Sequence, residues 1–159
     1  MRGLVTLSGA CFGLMMILVG SLITTGFFTP SLHMPFNYLT LDSTLQLPAL
    51  LLCALVAGPR AGVIASIAYI TIGLFYLPVF QGGGGINYLS SPSFGYLIAF
   101  IPTAWISGNL AHQSKMNTFL RQTFCAISGL LFLHAIGIIS LIIRSASGTL
   151  ANQIQDYIY

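Results

Sequence analysis

Residues 4–28 read LVTLSGACFGLMMILVGSLITTGFF, 25 positions without one charged side chain. A helix that crosses the ~30 Å hydrocarbon layer of a bilayer needs roughly 20 mostly apolar residues. Leu4–Phe28 meets that length. It exceeds the roughly 7–15-residue apolar core of a cleaved signal peptide, and it holds no A-x-A cleavage signal. The stretch therefore reads as a retained first membrane helix.

Four more segments follow the same pattern: Leu41–Val56, Ala61–Leu77, Phe94–Leu110 and Phe119–Ile143. Leu41–Val56 is the weakest, and Pro48 is expected to bend it, as Pro102 is expected to kink the fourth. Composition agrees. Of 159 residues, 56% are hydrophobic and 4% charged, against roughly 25% charged in a soluble domain. Mean hydropathy is +0.92. So few charges cannot make a water-facing surface, and most of the exterior must face lipid. The expected fold is all-α: a polytopic transmembrane helical bundle, one domain over residues 1–159, with five spans visible. A polar segment, Ser145–Tyr159, follows the fifth span, and we expect a sixth helix beyond it.

Several classes fall away. The net charge of +3 is scattered, so no basic cluster tracks phosphates and nucleic acid is not a partner. Strand-length polar/apolar alternation is lacking, which argues against an outer-membrane barrel. Cys11, Cys53 and Cys125 sit in apolar runs without metal-ligand spacing, so they read as small buried hydrophobes. No cofactor is called for. Asp42 and Asp156 are far apart, and no HExxH, GxSxG or Walker A pattern occurs. Neither catalysis nor self-powered transport follows.

Lys and Arg gather in cytoplasmic loops. With the N-terminus inside, Arg2, Arg60, Lys115 and Arg121 all fall inside and Arg144 alone falls outside. The connectors 29–44 and 78–92 then face outward. Within the second stand Gly82–Gly85, between Phe80 and the pair Asn87–Tyr88. Glycine permits close backbone approach, so this run is either a lid over a cavity or an ordinary connector. Pro92 suits a helix start. Ser91 and Ser93 are candidate caps that would leave backbone N–H groups facing the outer loop, with Tyr96 one turn below. Gln46 near the outer face and His134 in the fifth span are polar groups placed for a ligand or for a helix contact. Gly9 and Gly13, four apart, make a close-packing face on helix 1, for another helix of this chain or for a partner subunit.

An ordered set of short motifs resembles the BioY family, the biotin-specific S components of energy-coupling-factor (ECF) transporters. The set is Thr44-Leu-Gln46, Gly58-Pro-Arg-Ala-Gly62, Tyr69, Leu77-Pro-Val-Phe80, Gly82–Gly85 and Pro92-Ser-Phe-Gly-Tyr-Leu-Ile-Ala-Phe100. The resemblance covers about Thr44 to Leu110. It implies a six-helix fold and a biotin site near the outer face. Mapped onto this chain, that site uses Gln46, Tyr69, Phe80, Gly83, Gly84, Asn87 and Tyr96. It further implies a transmembrane T subunit, with Gly9 and Gly13 as its docking face, and cytoplasmic ATPases in a plasma-membrane assembly. This chain departs from the family with Ser93 for Thr and Ala99 for Gly, and it lacks a D-x-x-K near residues 153–157. Biotin's urea head, apolar bicycle and carboxylate call for an apolar pocket with a few placed polar groups. An S component for another small vitamin and a membrane scaffold without a ligand are the alternative readings.

Overall fold

The computed structural model describes residues 2–29, 37–80, 83–113 and 119–146. Five α-helices form the bundle: α1 Arg2–Leu22, α2 Gln46–Ala57, α3 Pro59–Phe75, α4 Phe94–Ala111 and α5 Phe119–Ala146. Strands β1 Thr24–Thr29 and β2 Asn37–Thr44 join α1 to α2, and a 3-10 turn, η1 Ile86–Ser90, precedes α4. α1, α4 and α5 are long and apolar enough to cross a membrane, whereas α2 and α3 are shorter apolar helices. At ~1.5 Å per residue the 12 residues of α2 rise only about 18 Å.

α1 stops at Leu22, six residues before the sequence predicts. From Ile23 onward the chain is rich in β-branched and aromatic residues, which fit a pleated strand better than a helix. Counting apolar residues alone conceals that change. β1 pairs antiparallel with β2, from Thr24 opposite Thr44 to Thr29 opposite Asn37, with an irregularity between Thr24 and Gly26. At that irregularity the Thr25 hydroxyl donates to the Ser43 carbonyl at 3.0 Å. The hairpin takes up residues 41–44, so α2 begins at Gln46 and not at Leu41. Pro48 consequently lies in the first turn of α2, where a missing N–H costs nothing, and the bend expected there is not needed. α3 begins at Pro59, its first helical position, and α4 runs on through Pro102.

The interior is built mostly from small residues, with Ile17, Leu50 and Tyr69 as its largest fully buried side chains. Ala54, Ala61, Ala65, Ala99 and Ala104 are completely buried, with Ser66 and Ser107 beside them. Each of those serines returns its hydroxyl to the carbonyl four residues back, at 2.7 Å. Large apolar side chains point outward instead, among them Phe12, Phe75, Phe124, Leu131 and Ile143. Such an exterior is a liability in water and the natural surface in lipid. Cys53 and Cys125 are buried as expected, but Cys11 is exposed.

Gly9 and Gly13 serve this interior. A Cβ on Gly9 would stand 2.7 Å from that of Ala57, and one on Gly13 would overlap the Cys53 sulfur. Their face is therefore filled by α2 and α3 of the same chain, the first of the two packing roles open to it in the sequence.

Candidate functional site at the loop end of the bundle

Tyr69 lies on the inward face of α3, in line with Gly62, Ala65, Ser66 and Gly73. Its ring is wholly enclosed. Phe80 meets it edge-on with centroids 5.5 Å apart, and Phe100 lies nearly parallel at 6.4 Å. A phenol hydroxyl taken out of water needs a partner. Here it lies 2.8 Å from Gln46 Oε1 and 3.1 Å from the Val79 carbonyl. One hydroxyl thus ties together the start of α2, α3 and the segment after α3.

That segment is held by backbone hydrogen bonds. Phe80 and Gly83 exchange backbone hydrogen bonds at 2.9 and 3.0 Å, and the Gly85 N–H donates to the Gly73 carbonyl at 2.9 Å. Gly83 and Gly85 hold φ of 126° and 90°, values that side chains other than glycine adopt with strain. A Cβ on Gly84 would come within 2.6 Å of the Pro78 Cα. The glycines fold the connector back onto the end of α3 and press the Phe80 ring over Gly73, where a Cβ would overlap the ring. Gln81 and Gly82 lie outside the described residues.

Beyond the glycines, η1 lays the Tyr88 ring against Phe80, with centroids 4.7 Å apart. Burial pushes the Tyr88 phenol up from its ordinary pKa, and hydrogen bonding with the Ser93 and Ser91 side chains offsets part of the rise. Of the predicted residues, the structure brings together Gln46, Tyr69 and Phe80, with Gly83 and Gly84 forming the backbone beneath. Asn87 is exposed on η1. Tyr96 stands apart, its ring packed over Gly137 and edge-on to His134 at 6.2 Å, between α4 and α5. His134 itself is exposed. Tyr88 is the member that the sequence marks only as half of a pair and does not place in the site. The pair Asn87–Tyr88 carries that signal, and it is the ring of Tyr88, not the amide of Asn87, that packs on Phe80.

The expected caps of α4 are corrected. Ser93, at the N-cap, makes no side-chain cap bond, and its own N–H donates to Ser91 Oγ at 3.3 Å. Phe94 N–H goes to the Ser91 carbonyl, and Tyr96 and Leu97 N–H both go to that of Ser93. These groups are used inside the turn and are not turned toward a ligand. Two clefts open at this end of the bundle. One of about 250 Å³ is lined by Gly73, Leu77, Pro78, Gly84 and Gly85. The other, about 230 Å³ and almost wholly apolar, is lined by Val19, Gly20, Leu45, Pro48 and Leu52.

An exterior of large apolar side chains around an interior of alanine and serine, capped at one end by an aromatic and polar cluster, defines a multi-pass membrane protein. Comparison with known proteins narrows the class. The profile of the BioY family matches residues 5–157, and the chain belongs to the BioY family. A protein of Lysinibacillus sphaericus named probable biotin transporter BioY is 37% identical over 95 residues, 60% of this chain and 48% of that one. The biotin transporter BioY of Thermotoga maritima is 35% identical over 96 residues, 60% of this chain and 56% of that one. The chain thus spans about half the length of these curated relatives. A crystal structure of the S-component for biotin from an ECF-type ABC transporter superposes with a TM-score of 0.66 at 25% identity. That match covers 96% of this chain and 79% of the other, and the fold is that of the S components.

Proposed function

We propose that this chain is the substrate-binding membrane subunit of a biotin uptake system. It captures biotin at the loop end of the bundle, turned to the outside of the plasma membrane, while the N-terminus lies in the cytoplasm. The observation that carries the proposal is the constellation of Gln46, Tyr69, Phe80 and Tyr88. Tyr69 is enclosed and acts through Gln46, whose amide oxygen it holds. The Gln46 amide N–H₂ is then left to meet the ureido carbonyl of biotin, with Asn87 on η1 as a second polar contact. Phe80 and Tyr88 suit the apolar bicycle. With its charge matched by four of five basic residues on the inner side, the bundle presents hairpin and η1 outward.

Passage inward requires an energy source that the sequence does not carry, since it has no Walker A motif. An ECF T subunit and cytoplasmic ATPases fill that role in this proposal. Because Gly9 and Gly13 already meet α2 and α3, the T subunit docks on the outward stripe of α1 formed by Leu4, Ser8, Cys11 and Met15, all exposed.

Equilibrium binding of labelled biotin to the purified chain in detergent tests the reading. Gln46→Ala and Asn87→Ala each remove one polar contact from an apolar site, worth about 1–3 kcal/mol, and should weaken binding by about 5- to 150-fold. Binding of a different vitamin with biotin ignored would transfer the chain to another S-component specificity. Failure to bind any small vitamin would leave the scaffold reading.

A further inference from the structure

The inward stripe of α5 runs Cys125, Gly129, Leu133 and Gly137, one residue every four. It continues past the α4 interface. Gly137 receives the Tyr96 ring and Ser140 packs on Gly95, so closely that a Cβ on either glycine would overlap its neighbour. Four residues after Ser140, on the same face, stands Arg144. By then α4 has ended, and the side chain meets η1 instead. Its two terminal nitrogens donate to the carbonyls of Ser90 and Leu89, at 2.7 and 2.6 Å.

These two carbonyls have a local reason to need donors. In a 3-10 turn each carbonyl accepts from the N–H three residues on. For Leu89 that residue is Pro92, which has no N–H. For Ser90 it is Ser93, whose N–H goes to Ser91 Oγ. Neither carbonyl takes the bond from three residues on that a 3-10 turn provides, and a planar guanidinium offers two parallel donors at the spacing of adjacent carbonyls. A cation at the carbonyl end of a helical turn is also favoured by its dipole.

We propose that Arg144 is a positioning residue for the ligand site: it straps η1 to α5 and thereby holds Tyr88 over Phe80. The strap rests on the biotin-binding reading for its functional half, while its structural half stands without a ligand. Displacing the guanidinium frees η1 from the helix pair α4–α5, and the Tyr88 ring loses its fixed place one residue before the strapped carbonyls. Ligand escape then quickens, with little change in the helices themselves.

The test uses the full chain, its Arg144→Gln variant and its Arg144→Lys variant, and takes two readouts. Hydrogen–deuterium exchange without ligand should rise about ten-fold at the amides of Tyr88, Ser91 and Phe94 in Arg144→Gln, the size expected from loss of charged hydrogen bonds. Amides of residues 120–140 should keep their rates. Arg144→Lys, which reaches with a single ammonium, should fall between parent and Gln. Release of labelled biotin should accelerate in the same order, by about ten-fold for Gln. Unchanged exchange at η1 in both variants overturns the strap. Faster exchange with unchanged biotin release overturns its role in the site. A parent chain that binds no biotin refutes the proposed function instead, and the exchange rates then decide the strap alone.

Discussion

The seam between α2, α3 and α4 and the loop end around Tyr69 hold the same helices together by opposite means. At the seam almost nothing separates the backbones. A Cβ on Gly62 would lie 3.0 Å from that of Ala54 and 3.1 Å from that of Ala104, and one on Gly108 would lie 2.6 Å from the Pro59 Cα. In lipid no hydrophobic force draws helices together, and close van der Waals packing of small residues takes its place. At the loop end the spacing is set by four large rings, those of Tyr69, Phe80, Tyr88 and Phe100, and a handful of hydrogen bonds. Backbone against backbone cannot yield, whereas a ring or a hydroxyl can be altered singly. The seam should therefore fail as a whole, and the loop end should respond in graded steps.

Gly108→Leu gives the largest effect. Its side chain would meet the Pro59 backbone and the Ala54 carbonyl, at 2.6–3.0 Å from the first added carbon, and neither can rotate away. Overpacking of this kind costs about 3 kcal/mol or more, a large part of the stability of a small domain. Size-exclusion chromatography in detergent should show aggregated protein or none. A monodisperse Gly108→Leu protein with the parent's thermal midpoint would mean that the seam is looser than its geometry.

Tyr69→Phe comes next and separates the scaffold from the site. The ring contacts with Phe80 and Phe100 survive, while Gln46 Oε1 and the Val79 carbonyl lose the one O–H proton they share, with Gln46 at the shorter distance. An unsatisfied buried acceptor costs about 1–3 kcal/mol, so the thermal midpoint should drop by several degrees. Biotin affinity should fall with it, because Gln46 is no longer held. Affinity lost at constant midpoint would instead put the Tyr69 hydroxyl in direct contact with ligand. If both quantities stay put, the hydroxyl ties nothing together.

The difference between the two regions also explains what the sequence reveals. Helices α3, α4 and α5 begin and end within three residues of where hydropathy puts them, since lipid dictates length. The multi-pass class follows from the same signals, whereas the family is legible only in the ordered motifs between Thr44 and Phe100. The other end of α1 is misread because Ile23–Phe28 are as apolar as any span, and only their β-branched and aromatic character distinguishes strand from helix. In the candidate site, Gln46, Tyr69 and Phe80 are legible as motif residues, but the contacts that join them are not. Tyr88 reaches Phe80 through the path of the glycine turn, and Arg144 reaches η1 across more than fifty residues. Both depend on where the bundle ends in space, which no local pattern encodes.

Tyr88 supplies the smallest effect and tests how firmly the loop end is packed. Burial holds its phenol neutral above the usual tyrosine pKa of about 10. The unfolded chain releases that proton at the ordinary value while the folded chain retains it. The contribution of the buried neutral phenol is therefore complete below about pH 10 and is lost as pH rises through the folded value. The ring is only half-buried, so solvent screens much of this and the change should be slight. Because it is one of seven tyrosines, its titration is read as an ultraviolet difference between the parent and Tyr88→Phe. The missing component should be a late-titrating phenol, and it should shift toward the ordinary value in Arg144→Gln if the strap keeps η1 packed. A component that titrates at the ordinary value in the parent would place Tyr88 in water, and the loop end would then lack the wall that Phe80 and Tyr88 build together.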